Sequence, residues 1–189
     1  IKDLPVVMCL DRGGIVGEDG VTHHGVFDMA AFGAVPGLTI AAPMDELELR
    51  NMMYTGLQYG HPFMIRYPRG NGAGRRWRGV PFEALPVGRG RRLREGTDVA
   101  LVTVGTVGNA AARAAERAAA KGVSVAHYDL RFAKPLDEAL LAGVGAEFRH
   151  VVTVEDGSLR GGVGEAVTAF FNARGCEVAV HSLGIGDEW

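Results

Sequence analysis

Fifteen residues near the start of this sequence concentrate groups that can do chemistry. Asp11-Arg12-Gly13-Gly14-Ile15-Val16-Gly17-Glu18-Asp19-Gly20-Val21-Thr22-His23-His24-Gly25 carries one arginine, three acids, a threonine and two histidines among five glycines. Glycine lets backbone N–H groups approach a ligand closely. An imidazole can move a proton near neutral pH, which makes His23 a candidate acid–base group. Asp19 is the candidate to orient that proton or to bind a substrate hydroxyl. A polar turn that binds nothing is the plainer alternative, but so many ionisable groups in one long glycine loop are hard to explain structurally. A zinc site from Asp11, Asp19, His23 and His24 is the weakest reading, because adjacent histidines in a loop have no standard ligand spacing.

A second cluster, Arg66-Tyr67-Pro68-Arg69-Gly70, follows another apolar run. A guanidinium at Arg69, just before a glycine-rich bend, can grip a phosphate with two parallel hydrogen bonds. A surface arginine ahead of a linker is the alternative. Arg12 and Arg69 both follow apolar runs, so in a parallel sheet they emerge on the same rim, where ligands collect. Two arginines there suit a dianionic phosphate. Two further glycine motifs are read more plainly. Gly105-Thr106-Val107-Gly108 lacks the dinucleotide fingerprint and the Walker lysine, so it reads as a tight turn. Gly161-Gly162-Val163-Gly164 reads as close packing of a helix on a sheet. Glu155 and Asp156 end an apolar run and are candidates to face a partner domain.

The elements that must position these groups follow from periodicity. Val6–Leu10 reads as a buried strand, and residues 12–25 form the glycine loop. A helix is expected over Phe27–Ala34 and a strand over Thr39–Ala42. Asp45 reads as the N-cap of a second helix, with Glu48 reaching back to complete a capping box. Leu49, Met52, Met53 and Leu57 then share one helical face, and Met52-Met53 reads as core. Phe63–Tyr67 is the next strand. From residue 96 the alternation continues, with strands over 99–104, 123–130, 151–154 and 176–183. Helices are expected over 107–120, 136–141 and 163–173. This alternation predicts an α/β fold of two three-layer α/β/α units with mostly parallel sheets. Between them, 71–95 reads as a linker rich in Arg and Gly. From Arg69 to Glu95 there are eight arginines and two glutamates, a local +6 expected to lie as a solvated connector on an acidic surface.

Composition bounds the function. The chain has 189 residues, with 20 Lys plus Arg against 22 Asp plus Glu, a net charge of −2. With 47% hydrophobic and 22% charged residues it has the balance of a globular protein and not of a disordered one. The lack of a basic excess argues against nucleic acid as a partner. No apolar run is long enough for a membrane span, and no signal peptide is visible. The two cysteines, Cys9 and Cys176, sit in apolar runs and read as buried free thiols of a reducing compartment. The chain opens at Ile1 without Met and stops at Trp189, which reads as a segment of a longer protein.

The stretches DRGGIVGEDGVTHHGVFD (11–28), AAPMDELELRNMM (41–53), RYPRGNG (66–72), RFAKPLD (131–137) and VTVEDGSLRGGVGEAV (152–167) together resemble the 1-deoxy-D-xylulose-5-phosphate synthases. These are thiamine-diphosphate enzymes related to transketolase, and the resemblance covers nearly the whole chain. Transketolases usually have Pro where this chain has Val21. The resemblance implies that 1–70 is the end of a pyrimidine-binding domain and 96–189 a truncated transketolase C-terminal domain. It implies a transferase that condenses pyruvate with D-glyceraldehyde 3-phosphate and releases CO2, with the cofactor as electron sink. By the same resemblance, Arg12 and Arg69 hold the acceptor phosphate, and Asp19 and His23 contact its hydroxyls and assist proton transfer. The elements for diphosphate, Mg2+ and the activating glutamate are expected upstream, in the remainder of the polypeptide. No metal ligand and no cofactor determinant is assigned within this segment. A homodimer in a bacterial-type cytoplasm, or a plastid in a eukaryote, is implied. Another thiamine enzyme (a transketolase, or the β-type subunit of a 2-oxoacid dehydrogenase) and a non-catalytic assembly module of the same fold remain alternatives.

Overall fold

The structure, a computed structural model, describes residues 3–187; the outermost residues of the terminal stretches considered above, 1–2 and 188–189, lie outside that range. Apolar runs become strands, and the chain builds two sheets. The first contains β1 (Val7–Leu10), β2 (Thr39–Ala41), β3 (Phe63–Arg66) and β7 (Phe132–Lys134) in the order β1-β3-β2-β7. The second contains β4 (Arg91–Arg94), β5 (Val99–Thr103), β6 (Val125–Asp129), β8 (His150–Ser158) and β9 (Ala179–Ile185) in the order β4-β6-β5-β8-β9. Pairing is parallel except where β7 meets β2 and β4 meets β6.

Helices cover the faces. In the first unit α2 (Glu46–Tyr59) lies over β3 and β1, and the short α1 (Asp28–Gly33) contacts β2 and β7. In the second unit α3 (Val107–Ala119) packs through Ala111 and Ala115 on Leu101 and Val125. α4 (Glu138–Glu147) and α5 (Val163–Ala173) share another core, with Leu141, Val144, Val167 and Phe171 buried among Ala100, Val102 and Val151. Gly164 sits where an added Cβ would fall 2.6 Å from the Ser182 hydroxyl, so the Gly161–Gly164 motif is indeed close helix–sheet packing. The two units with mostly parallel sheets are therefore present.

Several local expectations are corrected. β7 was not foreseen. After β6 the chain leaves the second sheet, adds an antiparallel strand to the first, and returns, with Phe132 fully buried 6.3 Å from Phe63. The stretch 71–95 is not all linker, because Arg91–Arg94 forms β4 against β6. Its strand state comes from its partners, since Arg91 lies opposite Asp129 and donates to it at 3.0 Å. The rest is strapped to α2, where Arg50 donates to the carbonyls of Trp77, Val80 and Pro81. Met53 and Leu57 are exposed, not core, because α2 buries Glu48, Asn51, Met52, Thr55 and Gly56 instead. β1 is a sheet edge, not a buried strand, so Cys9 is an exposed thiol, and Cys176 is only half-buried. Asp45 does cap α2 by accepting from the Glu48 N–H at 2.8 Å. Glu48 reaches one residue further back than a capping box requires and accepts from the Met44 N–H at 2.8 Å.

Candidate active site

Parallel pairing of β1 and β3 places Leu10 opposite Arg66, and the ladder continues past both strand ends. Tyr67 N–H donates to Leu10 O at 3.0 Å and Gly13 N–H to Tyr67 O at 2.9 Å. Arg12 and Arg69 therefore emerge from neighbouring strands on one rim. Loop 11–25 is closed at its base by paired glycines. Gly14 N–H donates to Gly25 O at 2.9 Å, and Gly25 N–H donates to Arg12 O at 3.0 Å. Only glycine fits at 25, because an added Cβ would sit 2.5 Å from Arg12 O. Arg12 itself adopts the left-handed backbone, φ 62°, a conformation that costs a non-glycine residue on the order of 1–3 kcal/mol and clusters at functional sites.

At the centre Asp19 joins the two arginines. Arg12 Nε donates to Asp19 Oδ2 at 2.8 Å, and Arg69 Nη1 donates to Asp19 Oδ1 at 2.7 Å. Asp11 also pairs with Arg12, and Glu18 approaches Arg69 at 3.0 Å. The hydrogen bond from Arg12 holds the Asp19 carboxyl below the usual range against partial burial, aided by the charges of Arg69, Arg12 and His23. The same pairing raises the Arg12 guanidinium further above neutrality. The rim thus presents two fixed cations and a carboxylate ionised at neutral pH.

His23 lies on a single 3-10 turn, Val21–His23, exposed to solvent, with Nδ1 3.1 Å from the Thr22 hydroxyl. His24 turns the other way, and its Nδ1 accepts from the Val16 N–H at 3.0 Å. The structure thus separates two imidazoles that the sequence left equivalent. Arg12, Asp19 and Arg69 come together in direct contact, with His23 close enough to act on the Asp19 charge.

Sequence reasoning passed over Arg66. Its side chain is 2% exposed and salt-bridged to Asp28 and Asp156. Burial opposes its charge, but Asp156 and Asp28 outweigh that and keep the guanidinium protonated. Of the two acids proposed to face a partner domain, Asp156 meets this arginine of the first unit. Glu155 does not; it is buried and accepts from the N–H groups of Val163 and Gly164 at 3.0 and 2.8 Å, capping α5. Burial pushes its pKa up, and those two N–H groups oppose the rise.

Between the units lies a buried ionic cluster. Glu48 accepts from Arg131 at 2.7 Å and pairs with Arg91 at 3.0 Å, and Arg91 also holds Asp129. Burial, then Glu48, pushes Asp129 up to about 6. Burial, then Arg91, pushes nearby His127 down to about 4. Among the described residues no group of three or more His, Cys, Asp or Glu side chains could hold a metal ion. The loop carboxylates Asp11, Glu18 and Asp19 are committed to arginines. Among the described residues, then, no such cluster of side chains stands ready for the magnesium–diphosphate end of thiamine diphosphate.

Two sheets of this topology with a charged rim at β1 and β3 define a transketolase-type architecture, and comparison with known proteins agrees. The family model described as the transketolase pyrimidine-binding domain matches residues 1–74, and the transketolase C-terminal domain matches 88–188; the chain belongs to the transketolase family. Within it, the chain is 55% identical over its whole length to the 1-deoxy-D-xylulose-5-phosphate synthase of Bacteroides fragilis and 53% identical to that of Bacteroides thetaiotaomicron. The relative of the same name from Carboxydothermus hydrogenoformans is 44% identical. The chain spans only 29–30% of the length of these relatives. Among solved structures, a chain described as a split gene transketolase, inactive β4 tetramer, superposes with a TM-score of 0.83 at 28% identity. The match covers 98% of this chain and 59% of that one. No helix among the described residues is long and apolar enough to cross a membrane.

Proposed function

We propose that this chain is the acceptor-binding part of a 1-deoxy-D-xylulose-5-phosphate synthase, which condenses pyruvate with D-glyceraldehyde 3-phosphate and releases CO2. The observation that carries this reading is the convergence of Arg12 and Arg69 on one carboxylate at the rim, in a chain more than half identical to relatives of that name. Two guanidiniums a single carboxylate apart match a dianionic phosphate, which offers more acceptor oxygens and more charge than Asp19 does. When phosphate takes over the arginines, Asp19 is released to accept hydrogen bonds from the acceptor hydroxyls. His23, exposed beside it, gives or takes the proton at the reacting oxygen. Thiamine diphosphate, when bound, supplies the electron sink for decarboxylation and carbon–carbon bond formation. It and Mg2+ are assigned to the rest of the polypeptide. Residues 1–70 are read as the end of the pyrimidine-binding domain and those from 96 as the C-terminal domain. The whole enzyme is read as a cytoplasmic homodimer that feeds isoprenoid, thiamine and pyridoxal precursors.

In the complete enzyme, Arg69→Ala should raise the requirement for glyceraldehyde 3-phosphate about 30- to 150-fold, the equivalent of roughly 2–3 kcal/mol for a charged hydrogen bond. The requirement for pyruvate should stay as it was. An unchanged acceptor dependence would remove the role given to Arg69. A transketolase is the second reading, favoured by the split-gene structural neighbour. Turnover with ketose phosphate donors in place of pyruvate would establish it.

A further inference from the structure

Arg66 stands at the end of β3, yet it is among the most enclosed charged side chains of the molecule. All three guanidinium nitrogens donate. Nε donates to both carboxylate oxygens of Asp28 at 2.9 and 2.8 Å. Nη1 donates to the Asp156 carboxylate, and Nη2 donates to Gly25 O at 2.9 Å and to Asp156 O at 3.0 Å. On the other side of loop 11–25, the Gly13 backbone lies flat against the same side chain. An added Cβ there would come within 3.0–3.1 Å of Arg66 Cγ, Nε and Cζ. Gly14 is equally tight, 2.8 Å from Asp156 by the same measure. The two ends of the loop, the start of α1 and the long strand β8 of the second unit thus meet at one cation.

We propose that Arg66 is a positioning residue that fixes loop 11–25, and with it Arg12, Asp19 and His23, by clamping both loop ends onto Asp156 of β8. The inference rests on the acceptor-binding reading only for the consequence in catalysis; the clamp itself stands on geometry. Asp19 and His23 have no anchor in a regular strand or long helix, so their placement depends on the loop base. The glycine pairing at the base is backed by the hydrogen bond from Arg66 Nη2 to Gly25 O and by the packing of Gly13 on the same guanidinium, whose planar fork lysine cannot reproduce. A loop released at its base still carries all its functional groups but presents them out of alignment, and misplacement of about 1 Å costs on the order of 100-fold.

The test uses the complete enzyme with two variants, Arg66→Lys and Asp156→Asn. The first keeps the charge. The second leaves Arg66 and Asp28 in place and guards against a variant that fails to fold. Amide hydrogen exchange over residues 13–25 is measured beside the KM for glyceraldehyde 3-phosphate and for pyruvate. The expected result is faster exchange confined to the loop, with acceptor kcat/KM reduced roughly 10- to 100-fold and the pyruvate KM unchanged. Loop exchange equal to wild type in both folded variants would overturn the clamp. Faster loop exchange with an unchanged acceptor KM would support the clamp and remove the acceptor-binding role of the loop instead. Partial recovery of acceptor kcat/KM by added guanidinium ion in Arg66→Ala, absent in Arg69→Ala, would further support a role for the lost fork itself.

Discussion

At the residue scale, the site divides into groups that face solvent and groups that hold them. His23 and His24 are neighbours in sequence and opposites in use. His23 is exposed, while His24 spends Nδ1 on the Val16 N–H inside the loop. His23→Ala should therefore lower turnover roughly 10²- to 10⁴-fold, the usual loss for an acid–base group, with an unchanged melting temperature. His24→Ala should instead cost about 1 kcal/mol of stability for the lost hydrogen bond. Paired kinetic and thermal measurements check this, and equal turnover in the two variants would contradict the assignment. The shared rim of Arg12 and Arg69 was legible in the sequence because both follow apolar runs, where a parallel sheet opens to ligands, and Asp19 drew notice through the density of ionisable groups in its glycine loop. Arg66 was not, since its partners Asp28 and Asp156 lie 38 and 90 residues away. An arginine between Ile65 and Tyr67 at a strand end reads as a surface residue until the carboxylates that justify its burial are in view.

At the scale of elements, most strands and helices with apolar patterns were legible to within a few residues, although α4 runs to Glu147, six residues past its expected end, and β4 and β7 were not foreseen. β4 is Arg-Arg-Leu-Arg, a sequence with no strand signature, and it becomes a strand only because β6 offers Asp129 opposite Arg91. β7 has three residues, too few to show alternation, yet it closes the first sheet against β2. Its Phe132 packs in a core with Ala41, Met52, Phe63, Ile65 and Leu85. Phe132→Ala should therefore destabilise by about 3–5 kcal/mol, the usual cost of emptying a buried phenylalanine site, although residue 132 follows the second unit's β6. Urea unfolding of the complete enzyme, followed by probes on either sheet, should show the loss in the first sheet. A loss confined to the second sheet would mean that β7 does not belong to the first.

For the molecule as a whole, the two units meet through a buried ionic cluster, and pH acts in opposite senses on Asp129 within it and on His127 beside it. His127 has its pKa depressed to about 4 from an ordinary 6.5. Its folded state favours the neutral ring, so its contribution is full above pH 6.5 and is lost as pH falls toward 4. Asp129 is raised to about 6 from 3.8. Its contribution is full below pH 3.8 and is lost as pH rises through 6. Across pH 4–6 the two slopes offset one another. In His127→Gln only the Asp129 slope remains. The melting temperature of that variant relative to wild type should therefore rise steadily as pH is lowered from 6.5 to 4. A constant difference across that range would show that His127 is not held neutral by the fold.

Glu48 ties this interface to the start of α2. One carboxylate oxygen accepts the Met44 N–H at the helix entry, and the other takes Arg131 and Arg91 from the second unit. A hinge opening between the units would part Glu48 from Arg131 and Arg91 and break that buried ionic contact, leaving the carboxylate only the Met44 N–H. Separation of the two units at this point therefore works against the same carboxylate that steadies the first turn of α2, whereas loop 11–25 is tied to the sheet chiefly at its glycine-sealed base.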